Sequence, residues 1–456
     1  MKEYDVAVIG NGSGSSVVEN ALMHGASVAL IDIPPIGGTC QNVGCIPSKM
    51  LIYPADIIVQ SKESKKLGID ASINQVDFNN IMDRMREVRR ESQEYQKKGI
   101  EQVPDLDYYA GKGFFIDDYT LQVNDEVIKA KKIFIGSGAR PLIPPIKGIR
   151  DVPYLTNESL LDLKKRPDDL VIIGGGYIAV EYAHFFSAMG TKVTILERSN
   201  RLIPHEEPEI SKILQEELGK RIDIYTEMEV IEVNKTDDKI EVKGKQRDTD
   251  ETKTFLAEQI LLATGRKSNA DQVKIEQTGV ALDDNGYIKV NEYMQTSQSN
   301  IWAFGDAIGK EMFKHVANEE AYVAWNNAFH DEKIKMSYHA SPHAIFSYPQ
   351  IASVGLTQRQ AEETQGDILV GTARYDQVAK GQAMRESKGF AKAIVDKKDF
   401  RILGFHIIGP FAPIVIQEII TIMQLKGQVG HIGQSMHIHP ALPEIVQRTL
   451  ANLKEV

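Results

Sequence analysis

The sequence predicts an α/β protein with two Rossmann-like domains and a third, C-terminal domain of α+β type. Three observations carry this expectation. A strand–glycine turn–helix–strand pattern occurs twice, in residues 5–32 and 169–197; nothing like it returns after residue 339; and 456 residues, at about 150 per domain, leave room for about three cores.

The first copy reads DVAVIGNGSGSSVVENALMHGASVALID and the second DLVIIGGGYIAVEYAHFFSAMGTKVTILE. In each, an apolar run feeds a Gly-x-Gly turn (Gly10 and Gly12; Gly174 and Gly176), and an amphipathic helix follows. Glycines at this point let a pyrophosphate reach the backbone at the positive end of the helix. The third fingerprint position is Ser15 in one copy and Ala179 in the other, where helix is expected to pack closely on strand. Asp32 and Glu197 end the second strands, 22 and 23 residues beyond Gly10 and Gly174, where a carboxylate hydrogen-bonds a ribose hydroxyl. Both copies are therefore expected to bind dinucleotides. Two later segments, IFIGSGARP around Ser137 and Gly138 and ILLATGRKSN around Thr264 and Gly265, are apolar strands ending in small-residue turns that are expected to close these units against a cofactor. The polar helical stretch between Tyr53 and Val103 carries Arg84, Arg86, Arg89 and Arg90, expected as a solvated face. From about His339, FAKAIVD and ILGFHIIG read as antiparallel strands followed by helices.

Composition removes several classes of function. With 63 acidic and 53 basic residues the chain carries a net charge of -10, which argues against a phosphate-tracking surface and hence against nucleic acid. No apolar run approaches the roughly 18 residues that span a bilayer, so no membrane is expected. The opening MKEYDVAVIG lacks a basic region, a long apolar stretch and a small-residue cleavage site, and predicts a cytoplasmic location.

There are two cysteines, Cys40 and Cys45, in TCQNVGCIPSK. They are close enough to cross-link, but closing so short a loop stabilises a fold only modestly. Zinc would need a second pair of ligands, so no metal is expected. Redox chemistry explains the pair better than two unrelated buried thiols do.

With the motifs GGTCQNVGCIPSK (37–49), GGGYIAVE (174–181), NIWAFGDAIG (300–309) and HIHPALPE (437–444), the chain resembles the class I pyridine nucleotide-disulfide oxidoreductases, the group of dihydrolipoamide dehydrogenase, glutathione reductase and mycothione reductase. The resemblance covers nearly the whole chain. It implies FAD on the first fingerprint, NAD(P) on the second and a C-terminal α+β dimerisation domain, with divisions at 1–147 and 268–338 for FAD, 148–267 for NAD(P) and 339–456 for dimerisation. It makes Cys45 the flavin-side thiol and Cys40 the interchange thiol that attacks substrate. His439, supplied by the second subunit of a homodimer, is the base and Glu444 the carboxylate that orients its ring; His437 stays structural. Lys49 and Glu181 match the ion pair beside the flavin, and Asp306 the aspartate on the flavin's sugar chain. Lys314 falls where backbone meets the isoalloxazine ring. Thr39, Gly113 and Val230 join the cofactor contacts, and Tyr177 matches a tyrosine that lids the nicotinamide pocket.

NADH is expected over NADPH, because Glu197 would repel an added ribose phosphate, and Pro204 also resembles NADH-dependent members. Ala179, Ala183 and Arg198 resemble NADPH-dependent ones. For the substrate, dihydrolipoamide dehydrogenase is the first reading, its lipoamide carried on the lipoyl domain of a separate protein because strand one begins by Tyr4. A low-molecular-weight disulfide reductase of mycothione reductase type is the second, since GNGSGSS, YDQVAKGQAM and HPALPE depart from common dihydrolipoamide dehydrogenases. A mercuric reductase is less expected, because RTLANLKEV ends the chain without a further cysteine pair. A non-catalytic flavoprotein that docks in a complex would not be expected to keep Cys40, Cys45, His439 and Glu444.

Overall fold

The computed structural model describes residues 1–456, which divide into two compact units. One comprises Met1–Ser48, Met82–Leu142 and Gly265–Ser337; the other comprises Lys49–Ile81, Ile143–Thr264 and Tyr338–Val456. The fold is mixed α/β, as expected.

The chain opens with β1 (Lys2–Ile9), α1 (Gly14–Met23) and β2 (Val28–Asp32), then α2 (Gly38–Asn42), α3 (Cys45–Glu63) and α4 (Phe78–Glu101). There follow β3 (Leu106–Ala110), β4 (Gly113–Asp117), β5 (Thr120–Val123), β6 (Glu126–Ile135) and β7 (Ala139–Pro141). The apolar runs VAVI and VALI give β1 and β2, buried on both faces as parallel central strands must be. They lie parallel in a sheet of order β3-β2-β1-β6-β5-β4. α1 packs the buried Val17, Val18 and Ala21 toward this sheet, and Val6, Val8, Leu30, Ile133 and Phe134 fill the core.

The second glycine unit begins with β8 (Asp169–Ile173), α5 (Tyr177–Ala188) and β9 (Lys192–Leu196), and continues through α6 (Pro208–Leu218) and β10 (Asp223–Tyr225). β11 (Met228–Lys235), β12 (Ile240–Gln246) and β13 (Thr252–Ala257) form an antiparallel sheet of their own; β14 (Gln259–Leu262) returns beside β8 in a parallel sheet of order β10-β9-β8-β14. The chain then re-enters the first unit as β15 (Arg266–Ser268), which pairs with β7, and β16 (Ile301–Ala303), which pairs with β6, before α7 (Lys314–Phe329).

The two glycine units share one backbone device. Gly10 has φ +96° and a Cβ there would lie 2.3 Å from the Gly136 carbonyl oxygen; Gly174 has φ +108° and its Cβ would lie 2.3 Å from that of Ala263. Only glycine meets both demands. The Gly10 and Gly136 amides donate to the carbonyls of Ile31 and Ile9, as those of Gly174 and Ala263 do to Leu196 and Ile173. The two closing segments therefore do abut the fingerprints. One expectation moves by a residue: helix meets strand most tightly at Gly14, whose Cβ would lie 2.7 Å from Val8 Cγ1. Ser15 is half-buried, its hydroxyl turned to the Gly12 carbonyl at 3.2 Å.

The C-terminal part is a six-stranded antiparallel sheet. Its members are β17 (Pro342–Ile345), β18 (Ile351–Gly355), β19 (Ile368–Arg374), β20 (Phe390–Asp396), β21 (Ile402–Ile408) and β22 (Lys454–Glu455). The order is β17-β18-β21-β20-β19-β22. Around it lie α8 (Gln358–Gln365), α9 (Ala379–Ala383), α10 (Ala412–Val415), α11 (Gln417–Gln424), α12 (Val429–Gln434) and α13 (Glu444–Ala451). Ile419, Ile445 and Val446 of the last helices close its core over Phe405 and Ile407. No helix is long and apolar enough to cross a membrane.

Candidate active site

Cys40 lies in α2 and Cys45 is the first residue of α3, a 19-residue helix whose positive end favours a thiolate at that position. Both are thiols, Cys40 partly buried and Cys45 exposed. Their side chains share a hydrogen bond. This bond, followed by burial, pushes the Cys40 thiol above the usual range, and the Lys314 ammonium opposes the shift. α2 is held from several sides. A Cβ on Gly38 would lie 2.7 Å from the Gly12 Cα, so two backbones touch there, and Thr39 lends its carbonyl to the Val43 amide at 2.9 Å. Asn42 donates to the carbonyls of Pro35 and Ile36, and its own Oδ1 accepts from Gln93 at 2.7 Å. Arg86 and Arg89 are partly buried rather than fully solvated: Arg89 donates to the Asn42 carbonyl at 3.5 Å, while Arg86 pairs at 2.7 Å with the exposed Asp83 of its own helix.

At the end of β2, Asp32 Oδ1 accepts the Ile33 amide at 3.1 Å, whereas Oδ2 is buried without a hydrogen-bond partner. Burial raises this carboxyl to about 6, partly offset by the amides of Asn11, Ile33 and Gly37. Ser137 Oγ is a second buried oxygen without a partner, beside Gly138 at φ +68°. Buried polar atoms are rarely left so. Both belong to the unit with the first fingerprint, and a ligand rich in hydroxyls and phosphates would satisfy them. Asp306 accepts from Arg266 Nε at 3.1 Å, and Gly265, at φ +118°, immediately precedes that arginine. Gly113 is accounted for by packing: a Cβ would lie 2.6 Å from Ile31 Cγ2, so only its backbone could meet a cofactor.

In the other unit, Lys49 donates to both oxygens of Glu181, at 3.0 and 2.8 Å, and lies 4.7 Å from the centre of the Phe346 ring. Glu181 Oε1 also accepts the Phe346 amide at 2.9 Å. Tyr177 opens α5 and is 36% exposed. Glu197 is buried at the end of β9, its Oε1 taking the Ser199 amide at 2.6 Å, and Gly175 is glycine because a Cβ would run into that carboxylate at 2.8 Å. Arg198 is exposed, and Val230 is a core residue of β11. His439 Nδ1 lies 2.8 Å from Glu444 Oε1, and the other oxygen accepts the Ala441 amide at 2.9 Å. The imidazole hydrogen bond, followed by that amide, holds the Glu444 carboxyl below the usual range. A proton on Nδ1 leaves Nε2 as the basic nitrogen, and the ring is largely exposed. His437, by contrast, is turned in to Glu418 at 2.9 Å.

Residues 4–328 match the model of the pyridine nucleotide-disulphide oxidoreductases and residues 341–450 that of their dimerisation domain. The chain belongs to this family. A mycothione reductase of Mycobacterium tuberculosis is 34% identical over the full length of both chains. A mercuric reductase of Staphylococcus aureus is 34% identical over 91% of this chain and 76% of its own, and a dihydrolipoyl dehydrogenase of Bacillus subtilis is 30% identical over 97% and 96%. Among solved structures, a Cu(II) complex of the HOCl-induced flavoprotein disulfide reductase RclA from Escherichia coli superposes with a TM-score of 0.88 at 28% identity, covering 99% of each chain.

In this oxidoreductase, sequence reasoning missed three features. Arg266 follows the expected Gly265 and is the partner of Asp306. The Lys314 side chain, and not only its backbone, reaches Ser13. His184, fully buried, lies 2.9 Å from Asp56 and 3.0 Å from Arg221. Asp56 lies two turns beyond Lys49 on α3, and His184 one turn beyond Glu181 on α5. Polar residues at helical spacing from a known pair were the available signal.

Proposed function

We propose that this oxidoreductase uses FAD and NADH to reduce the disulfide of a small molecule, through a redox-active Cys40–Cys45 pair and as a homodimer. The reading rests above all on the likeness to a mycothione reductase, which runs through the whole of both chains and exceeds that to the dihydrolipoyl dehydrogenase. Residues 1–147 and 268–338 would hold FAD, with Gly10, Gly12, Asp32, Ser137 and Asp306 against its phosphates and sugars. Residues 148–267 would hold the nicotinamide cofactor, with Gly174 and Gly176 at the pyrophosphate and Glu197 at the adenosine ribose. Residues 339–456 would form the subunit interface. When bound, the flavin accepts a hydride from the nicotinamide and delivers the electron pair to sulfur.

The rest is the work of this chain's residues. Two electrons and a proton convert the Cys40–Cys45 disulfide to a thiol and a thiolate. The Cys40 thiolate attacks the substrate disulfide, forming a mixed disulfide and expelling one thiolate, which takes its proton from His439 of the second subunit. Cys45 then attacks Cys40, releasing the second thiol and restoring the disulfide. The balance is RSSR + NADH + H⁺ → 2 RSH + NAD⁺. Lys49, fixed by Glu181, would place positive charge where electron density arrives.

Dihydrolipoamide dehydrogenase is the second reading, favoured by the near-complete overlap with the Bacillus enzyme. A mercuric reductase role has less support, because the match to the Staphylococcus enzyme takes in 76% of that protein, against the full length of the mycothione reductase. The test is a turnover panel with purified protein: NADH and NADPH against lipoamide, glutathione disulfide, cystine, coenzyme A disulfide and mycothione disulfide. Turnover of one bulky disulfide without lipoamide supports the proposal; robust lipoamide turnover in both directions replaces it with the second reading.

A further inference from the structure

Lys314 is the first residue of α7, and its ammonium is half-buried. It donates to Ser13 Oγ at 3.1 Å and to Asn318 Oδ1 at 2.7 Å, both neutral oxygens. Ser13 belongs to the fingerprint loop whose Gly12 touches Gly38, and Gly38 opens the helix that carries Cys40. The loop thus has the ammonium tethered to it and the dithiol's helix packed on it. The charged and titratable groups that act on Lys314 are Cys40 and Cys45, and those that act on Cys40 are Cys45 and Lys314. Burial, which holds the ammonium below its usual pKa range, is opposed by both thiols. A cation withdrawn from water onto neutral acceptors stabilises an anion formed nearby, since little else compensates its lost hydration.

We propose that Lys314 is a positioning residue of the dithiol: its ammonium, pinned between Ser13 and Asn318, is the fixed countercharge that keeps the reduced Cys40–Cys45 pair in a thiolate form able to attack a disulfide. The thiolate is the one left when two electrons and a single proton reduce the disulfide, and the ammonium opposes its protonation from water. This rests on the reading of Cys40 and Cys45 as the redox pair, and goes beyond it by assigning a charge to the side chain of a residue whose backbone alone was expected to act.

The experiment measures the alkylation rate of the reduced, FAD-loaded protein with iodoacetamide from pH 5 to 10, in wild type, K314M, K314R and N318A, with C40S and C45S assigning each thiol. K314M is expected to move the thiol titration up by about one pH unit, so that alkylation at pH 7 slows about tenfold. K314R should restore the wild-type profile, and N318A, which loosens the ammonium without removing it, should shift it the same way by less. A K314M profile that superimposes on wild type overturns the proposal, as does a K314R profile equal to that of K314M. Should K314M fail to retain flavin, an unshifted N318A profile overturns it alone. Anaerobic reductive titration of wild type separates the underlying reading: uptake of only two electrons per subunit removes the redox disulfide, whatever the alkylation profiles show.

Discussion

Asp32 gives the sharpest test of the flavin site, because it sets stability against binding. Its carboxyl is raised by burial from 3.8 to about 6, so the folded apoprotein holds a proton there that the unfolded chain has released. The protonated form costs nothing below about pH 4. As pH rises toward 6 folded stability falls, and above 6 the full penalty applies. A rise from 3.8 to about 6, at about 1.4 kcal/mol per unit, puts that penalty at up to about 3 kcal/mol. Asp32→Asn removes the charge and keeps the shape. The apoprotein of this variant should therefore be more stable than wild-type apoprotein at pH 8 by up to about 3 kcal/mol, with the difference shrinking toward pH 4. FAD should bind the variant about 10- to 100-fold more weakly at pH 8, since a charge-assisted hydrogen bond to the unpartnered Oδ2 is lost. Wild-type affinity should rise with pH through 6. Urea unfolding of the two apoproteins at pH 4.5 and 8, with flavin fluorescence titrations at the same pH values, measures both. An Asn variant no more stable at pH 8 than wild type, or wild-type FAD affinity that is flat from pH 5 to 8, refutes the reasoning.

Glu181→Leu should lower stability, and a double-mutant cycle with Lys49→Met should return a coupling of about 2 kcal/mol, between the value for a buried pair and that for an exposed one, because Glu181 is 6% and Lys49 35% exposed; denaturant midpoints of the four proteins decide, and coupling under about 0.5 kcal/mol contradicts the pair. Glu444→Gln should lower the disulfide kcat/KM about tenfold or more, since the His439 ring loses the carboxylate that fixes its orientation; an unchanged kcat/KM takes Glu444 out of that role. Glu197→Ala should raise the kcat/KM of NADPH relative to NADH, read from steady-state rates with each; a fixed ratio removes cofactor choice from this carboxylate.

What could be read from the sequence were the features in which chemistry leaves no alternative residue. Gly10 and Gly174 stand out because a positive φ and a carbonyl 2.3 Å from any Cβ tolerate glycine alone. Asp32 and Glu197 could be read from their spacing to those glycines, and the His439–Glu444 pair from the eight-residue motif HIHPALPE. The fold class followed from the doubled unit and from its absence downstream. Less legible were contacts made by residues that many environments accept. A lysine at a helix start gives no sign that it reaches Ser13, 301 positions away. Arg89 looked like part of a solvated stripe because its partner is a backbone carbonyl, which no pattern of side chains reveals. The close helix contact was assigned to Ser15 from the fingerprint spacing, whereas the helix geometry brings Gly14 onto Val8.

The two glycine units start from one backbone frame and differ at the acid that closes it. Asp32 keeps a buried oxygen without a partner, so a ribose hydroxyl that arrives there relieves a cost already present in the fold. Glu197 gives one oxygen to the Ser199 amide at 2.6 Å, as Asp32 gives Oδ1 to the Ile33 amide at 3.1 Å, but it carries no orphaned buried oxygen, and a ribose finds less to relieve. The contribution of this one carboxylate to binding is then expected to be larger in the first unit. On the proposed assignment, this difference would favour the tighter hold in the first unit that a resident flavin needs and the weaker hold in the second that suits a nicotinamide which must leave after giving up its hydride. The same backbone repeat thus presents two carboxylates in different hydrogen-bonding states, one contribution to the different hold that the proposed prosthetic and substrate sites would need.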